Sequence, residues 1–366
     1  QRMGRTGRRV NTTRNCLFLA TDEAELLLAL GICRLWRNGS VESVNPVPRP
    51  AHLFAQQIMA LALQEGGIVH ADLGAWLGST FDVLAPDDKE SVLDHMLATG
   101  MLHSDAGVLG LGPRAEREFG RRHFADLVVS FSSPLVLTVM LGSSELGSVH
   151  PLALTPQRDG GKLNILLAGR SWQVLDVDWQ RRRVSVIAAK DTGRARWLGG
   201  GRSASFAICK AAEAVVAGEE LGCQLSRRAS AKLDDVRDRL EFIDGISIPL
   251  VSDREGNVRI WTFAGGLANA ALAQSMPGTS ARADDFSIVV RTSDTAIVAE
   301  ALTKLDAESV RPSISQDAVE GLKFSACLPG VLATEVIQCR LLDREGIKSI
   351  LSRGKRYITC LLYTSD

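Results

Sequence analysis

Three prolines at alternate positions, Pro46, Pro48 and Pro50, constrain the fold of this chain more than any other local feature. Proline fixes φ and lacks a backbone N–H, so 46–50 is neither a helix interior nor a central strand. It is a stiff, extended linker and the clearest domain boundary in the sequence. Before it, residues 15–20 read as a strand. A helix follows, capped by Asp22, with Leu26, Leu27, Leu30 and Cys33 on one face. After it comes a helix with Phe54, Ile58 and Leu61 on one face, ended by Gly66-Gly67. A short helix over about 70–77 and a third from Pro86, carrying Val92, Leu93, Met96 and Leu97, stop at Gly100. Strands 101–103 and 108–111, joined by Ser104-Asp105-Ala106-Gly107, close the series with a hairpin. Three helices and then a hairpin is the order of a winged helix. That unit is used on nucleic acid, and also for purely structural or protein contacts.

A basic helix over 113–126 leads to candidate strands at 135–141, 145–150, 163–168, 172–178, 183–188 and 194–198. Their spacing of about ten residues, with Gly-rich turns, predicts a small antiparallel barrel or curled sheet. From Ser203 the pattern is mixed. Helices are expected near 203–217, 227–243, 265–274, 294–304, 314–321 and 330–351, with strands at 246–251, 257–263 and 285–291. The expected fold class is therefore α+β.

The 42 basic and 42 acidic residues cancel, and 45% apolar with 23% charged content excludes disordered, collagenous and coiled-coil classes. No apolar run approaches the ~20 residues of a membrane span. Seven dispersed cysteines without a CxxC pair read as reduced thiols of a cytoplasmic protein. Six histidines without ligand spacing support no metal site, and no nucleophile elbow is present. Neutrality nevertheless hides an uneven distribution. Residues 1–14 hold five arginines and no acid, residues 170–202 hold eight basic and three acidic side chains, and residues 281–320 hold four basic against eight acidic. Such runs are either solvated faces or the local patches to which polyanions respond.

The middle run contains Trp172, Trp179 and Trp197. Single-strand binding needs a cationic groove and flat side chains on which bases stack. Trp172 and Trp197 are the candidate platforms, with packing in a strand core as the other reading. Arg170, Arg181, Arg182 and Arg196 are candidate phosphate contacts, joined by Arg183 and Arg194, although 181–183 also suits a tight turn. Arg121 and Arg122, with His123, form a further candidate contact to the backbone. The wing, 102–109, would either wedge between bases or pack on its own helices.

The opening Gln1-Arg2-Met3-Gly4-Arg5-Thr6-Gly7-Arg8-Arg9 is more specific. Glycine-spaced guanidinium forks suit a triphosphate, because each can make paired charge-assisted hydrogen bonds to phosphoryl oxygens. An arginine there can stabilise charge developing at the γ-phosphate. The pattern Q-x-x-G-R-x-G-R is similar to motif VI of superfamily 2 (DEAD/DEAH-box) ATP-dependent helicases. Beyond it, Cys16-Leu17-Phe18-Leu19-Ala20-Thr21, Ala55-Gln56-Gln57-Ile58-Met59, Leu111-Gly112-Pro113-Arg114-Ala115-Glu116, Leu167-Ala168-Gly169-Arg170-Ser171-Trp172, Trp261-Thr262-Phe263-Ala264-Gly265-Gly266 and Leu322-Lys323-Phe324-Ser325 resemble the Lhr (large helicase-related) family. The resemblance covers about 1–350.

It implies an ATP-dependent 3′-to-5′ translocase on single-stranded DNA that unwinds DNA or RNA:DNA duplexes, with a role in repair. The divisions it implies are 1–45 as the end of a second RecA-like domain, 46–126 as a winged helix and 127–352 as a fourth domain. That fourth domain has a β-barrel-like part (127–202) and a mixed α/β part (203–352). Gln1, Arg2, Arg5 and Arg8 would reach ATP, Arg5 and Arg8 catalytically, and one exposed tryptophan of the fourth domain would contact a base. The chain contains no G-x-x-x-x-G-K-[ST] and no D-E-x-H box, and Gly199-Gly200-Gly201-Arg202-Ser203 lacks the lysine. The implied reading is the C-terminal part of a helicase core, with ATP and Mg²⁺ held only when RecA-like domains upstream complete it, and no ATP hydrolysis by this chain alone. The alternative is a winged-helix nucleic-acid-binding or repair accessory protein without its own ATPase. Residues 353–366 are set apart as a tail. Its last seven read as translated adapter sequence, with a short apolar C-terminus as the other reading.

Overall fold

The computed structural model describes residues 16–42, 46–120, 123–130, 137–149, 163–167, 170–178, 181, 183–189, 203–253, 255–276, 281–314 and 316–359. Among these residues the fold is mixed α+β, with three small sheets and 12 helices. The chain divides into two compact units, one of 1–127 with 203–366 and one of 128–202.

The first unit opens with α1 (Glu23–Arg37). Asp22 starts it by accepting a hydrogen bond from the Glu25 backbone N–H at 2.8 Å, the sequence-expected cap. Residues 16–20 precede it without strand pairing, and Leu17 and Leu19 are exposed. The apolar pattern there predicts a strand, but a strand exists only where a neighbour supplies the ladder. After the prolines come α2 (Ala51–Glu65), β1 (Ile68–Val69), α3 (Leu73–Leu77), α4 (Pro86–Ala98), β2 (Leu102–Asp105), β3 (Val108–Leu111) and α5 (Pro113–Phe119). The three strands form one sheet in the order β1-β3-β2, with both pairs antiparallel.

The second unit is one five-stranded sheet of β4 (Leu137–Leu141), β5 (Ser144–Val149), β6 (Asn164–Leu167), β7 (Arg170–Asp178) and β8 (Arg183–Ala188). Its order is β5-β4-β8-β7-β6. The expected small antiparallel barrel or curled sheet is corrected at one place, because β8 lies between β4 and β7 and runs parallel to β4. Hydrophobic alternation decides which face of a strand is buried but not which strand lies beside it. The expected strand at 194–198 lies outside the described residues.

The chain then re-enters the first unit with α6 (Phe206–Val216), α7 (Arg227–Arg239), β9 (Ile248–Ser252), β10 (Val258–Trp261), α8 (Gly266–Ser275), β11 (Ala281–Ala283) and β12 (Ser287–Val290). It continues through α9 (Thr295–Lys304), α10 (Gln316–Glu320), α11 (Gly330–Arg340), α12 (Arg344–Ser352) and β13 (Lys355–Thr359). The helix expected over 330–351 is two helices. Asp343 accepts from the Gly346 N–H at 2.9 Å and caps the second, where periodicity alone shows one continuous apolar face. Strands β11 and β13 were not legible in the sequence: the first is Ala-Arg-Ala, and the second falls in the tail set apart above. β13 is built into the sheet by parallel pairing with β9, Lys355 opposite Ile248 through Thr359 opposite Ser252. The seven residues read as adapter sequence lie outside the described residues.

These strands form a sheet in the order β11-β12-β10-β9-β13, between two helical layers. Ile248, Leu250, Val258, Ile260, Ile288 and Val290 pack toward α8, α9 and α12. The alternate residues Val251, Trp261 and Ile358, with Phe263 and Phe286, pack toward α1, α6 and α7. Helix α1 lies so close to α6 that a β-carbon at Gly31 would collide with the Ile208 carbonyl oxygen and come within 3.2 Å of the Ala212 nitrogen. Arg34 then pairs with Glu219 and donates to the Glu220 carbonyl at 3.1 Å, while Arg37 bonds Glu220 at 2.9 Å and the Leu221 carbonyl at 2.8 Å. Helix α1, placed by the sequence in a division of its own, thus packs on the 203–352 part, while 202/203 coincides with a boundary between the two compact units. The remaining core sets Phe54, Ile58, Val92, Met96 and Leu109 against Phe324, Leu332 and Val336, so residues from both ends of the chain close it.

Two buried polar groups lock these returns. The Glu213 carboxylate has no exposed area and takes charge-assisted bonds from Lys210 and, at 2.6 Å, from Arg353, which also donates to the Ile246 and Ser247 carbonyls. His52, at 1% exposure on α2, accepts from Arg340 of α11 at Nε2, 2.8 Å away. Burial, reinforced by the Arg340 charge, pulls the His52 pKa down to about 4 from 6.5.

Gly31→Ala will destabilise the fold by about 1–3 kcal/mol, because overpacking against α6 outweighs the gain in helix propensity; calorimetry reads the sign, since an uncrowded site would give a gain. His52 stays neutral when folded but takes a proton below pH 6.5 when unfolded, so its contribution is complete above pH 6.5 and is lost as pH falls toward 4. His52→Gln will remove on the order of 3 kcal/mol of that decline, read as the wild-type-minus-variant stability between those limits.

Candidate nucleic-acid interface

The second unit holds the candidate tryptophan and arginines nearest to one another. β7 alternates Trp172 and Val174 inward with Ser171 and Gln173 outward until an irregularity between Val174 and Asp176, after which Val177 is inward and Asp176 and Asp178 outward. Trp172 is 6% exposed among Leu137, Val139, Ile165, Val184 and Val186, and its indole N–H donates to the Leu167 carbonyl at 3.0 Å. The ring is buried in the sheet core. Trp172 is thus a packing residue here, the other reading that a tryptophan in a strand allowed. Trp197 and Arg196 lie outside the described residues, as do Arg182, Arg121, Arg122, Gln1, Arg2, Arg5 and Arg8.

Arg170 begins β7 opposite Leu167 and is exposed. Arg181 is exposed in the β7–β8 turn, where its N–H bonds the Asp178 carboxylate at 2.9 Å and its guanidinium lies 3.5 Å from the same group. Arg183 stands directly across from Asp178 in the register. Arg181 alone of these pairs with a carboxylate, while Arg170 and Arg183 have no ion pair among the described residues. The described part of the 170–202 run is close to neutral, with Arg170, Arg181 and Arg183 against Asp176 and Asp178.

In the first unit, α4 follows α3 and packs behind the β2–β3 hairpin. Its sequence Pro-Asp-Asp-Lys-Glu-Ser-Val-Leu-Asp-His-Met-Leu-Ala carries Asp87, Asp88, Glu90 and Asp94 against Lys89 alone. Arg49 pairs with Asp88 and, at 2.7 Å, with Glu335, and His95 Nε2 meets the Ala326 carbonyl at 3.3 Å. This helix is tied to the C-terminal segment and bears a charge that repels phosphate. The hairpin buries Leu102 and Leu109 among α2 and α4 side chains and turns through Ala106 and Gly107, both at positive φ. The 102–109 hairpin thus packs on its neighbouring helices, with Val108 the exposed apolar side chain beside its turn.

Charge counting along the chain concealed another cationic surface. In the central sheet, Arg259 of β10, Val289 of β12 and Arg282 of β11 form one row across three strands. The Arg259 guanidinium lies over the Trp261 ring, 5.4 Å from its centroid, and donates to Ser287 Oγ at 3.0 Å. These arginines are dispersed in sequence among acidic neighbours, so only strand pairing brings them together.

Nucleophilic chemistry has no support in the described residues. Burial pushes the Cys33 and Cys327 thiols up to about 12 and Cys209 higher still, the Cys223 thiol adding to the effect at Cys33. No group of three His, Cys, Asp or Glu side chains suited to a metal occurs among the described residues, and no described helix is long and apolar enough to cross a membrane. No family model matches the chain, and neither a curated protein nor a solved structure shows significant similarity to it.

Trp172→Ala will cost about 3–5 kcal/mol of stability through the cavity it leaves. A base-stacking role predicts the opposite pattern, a melting temperature near wild type with weakened oligonucleotide binding.

Proposed function

We propose that this chain is the motif VI segment, winged helix and fourth domain of an Lhr-type ATP-dependent DNA helicase, and that it contributes single-strand binding to that machine. The observation that carries the reading is the opening Q-x-x-G-R-x-G-R followed, in family order, by the further resembling segments. The succession α2-β1-α3-α4-β2-β3, with β3 between its partners, supports it as the topology of a winged helix. In the complete protein, Arg5 and Arg8, with Gln1 and Arg2, would face ATP and Mg²⁺ held by RecA-like domains supplied in cis. ATP closure would then move the strand held by this portion, on single-stranded DNA or at a DNA or RNA:DNA duplex. A cytoplasmic location and a repair role belong to the same proposal.

One feature favours an accessory variant of this reading for the winged helix itself. In DNA readers of this topology the helix at the α4 position enters the major groove. Here it carries four acids to one lysine and is tied to Glu335 through Arg49 and to the carbonyl at Ala326. Its role in the proposal is therefore structural, and strand contact falls to arginines elsewhere.

The chain will bind oligo(dT) with affinity falling at least tenfold between about 50 and 200 mM salt, because phosphate contacts release counterions. Fluorescence anisotropy across that range is the test, with phosphate release from ATP expected to stay at background. Absence of binding, or binding indifferent to salt, would sink the proposal.

A further inference from the structure

We propose that the part of the central sheet around Val289 is a docking surface for the phosphodiester backbone of single-stranded nucleic acid, held by Arg259, Arg282 and Arg291. The proposal rests on the nucleic-acid reading above and assigns that reading a contact surface outside the basic tryptophan-bearing stretch.

The register places the surface. Arg259 is opposite Val289, and Val289 is opposite Arg282, so the two guanidinium-bearing positions flank one valine on adjacent strands. Adjacent strands lie about 4.8 Å apart, which sets the two arginine backbones roughly 10 Å from each other. Arg291 lies two residues beyond Val289, exposed in the bend that ends β12, where the Thr292 N–H turns back to the Val290 carbonyl at 2.9 Å. The opposite face of these strands is filled by Val258, Ile260, Ile288 and Val290 against α8, α9 and α12. On the arginine side, α1, α6 and α7 cover Val251, Trp261 and Ile358, toward the β9–β13 edge. Val289 is only half-buried there, and Arg282 and Arg291 are exposed.

The charges are not spent within the protein. Arg282 and Arg291 have no carboxylate partner among the described residues. The acids nearest the row, Asp284 and Asp253, serve turns. Asp284 accepts from the Phe286 and Ser287 N–H groups at 2.8 and 2.7 Å and stands 3.9 Å from Arg259. Asp253 accepts from the Glu255 and Asn257 N–H groups, both at 2.9 Å, and lies within electrostatic reach of Arg259. Arg259 is therefore partly compensated, and its contribution is geometric. Laid over Trp261 and bonded to Ser287 Oγ, its planar fork is ordered before any ligand arrives. Three guanidinium groups, two free and one pre-positioned, around a single half-buried valine complement a flexible polyanion, whereas the centre of a protein interface is depleted of charge.

The test is the pair of substitutions Arg282→Gln and Arg291→Gln together in the full chain. Both side chains are exposed and unpaired, so the melting temperature should match wild type. Binding is read with dye-labelled oligo(dT) and oligo(rU) longer than the ~16-nucleotide upper site size of a single-strand-binding fold. The expected result is at least a tenfold loss of affinity at low salt, with the slope of log K against log salt shallower by roughly 1.4, or 0.7 for each lost phosphate contact. A wild-type protein that binds while the double variant binds equally well overturns this surface and leaves the proposed function standing. A wild-type protein that binds neither oligonucleotide overturns both.

Discussion

The buried carboxylate of Glu213 is the interaction on which the arrangement of the larger unit depends. A charge with no exposed area is tolerable only when it is paired and its remaining lone pairs are used. Lys210 meets it from one turn earlier in the same helix, and Arg353 meets it from the far end of the chain. Arg353 also spans the carbonyls of Ile246 and Ser247, immediately ahead of β9. The same few atoms thus fix α6, the approach to β9 and the start of β13, and the parallel register of β13 follows from that anchor. The face of the sheet that receives α6 and α7 then offers α1 a seat, which only a glycine at position 31 can fill.

Closure by distant segments is the recurring device. The core around α2 and α4 is completed by Phe324, Leu332 and Val336, with Phe324 held at φ 67 and its ring 5.4 Å from Phe119. The segment Leu322-Lys323-Phe324-Ser325, singled out by resemblance, is therefore a packing peg. The segment around Trp261 has a similar role. Thr262 donates to Asn269 Oδ1 at 2.7 Å, and Gly265 sits at φ 83 where a side chain would strike residues 204–206. The resembling motifs within the described residues are chiefly places where distant parts of the backbone approach closely.

Much of the local structure was legible. The Asp22 cap, the helix ends at Gly66 and Gly100, the hairpin turn at Ala106-Gly107 and most strands between 137 and 290 follow from short-range chemistry. What was not legible has two causes. The parallel insertion of β8, the edge strand β13 and the lack of a ladder at 16–20 depend on a neighbour distant in sequence. By contrast, β11 pairs with the adjacent β12 and the break at Asp343 is a local cap, both masked by a composition that resembles loop or continuous helix. The candidate site divides the same way. Arg170 and Arg181 were found as exposed cations, but the burial of Trp172 needed the facing strands, and the row through Arg259 and Arg282 needed strand register.

By itself, then, the sequence determined the mixed α+β class, the three-helix-and-hairpin order after the prolines and the resemblance that suggests a helicase. Those are properties of spacing, turn chemistry and residue type, which act over a few positions. The tertiary structure alone decided that α1 and the C-terminal helices close cores begun elsewhere, that an acidic α4 is tied inward, and that scattered arginines form one row. Pairing and burial couple residues far apart along the chain, and such couplings leave no periodic trace for a single sequence to display.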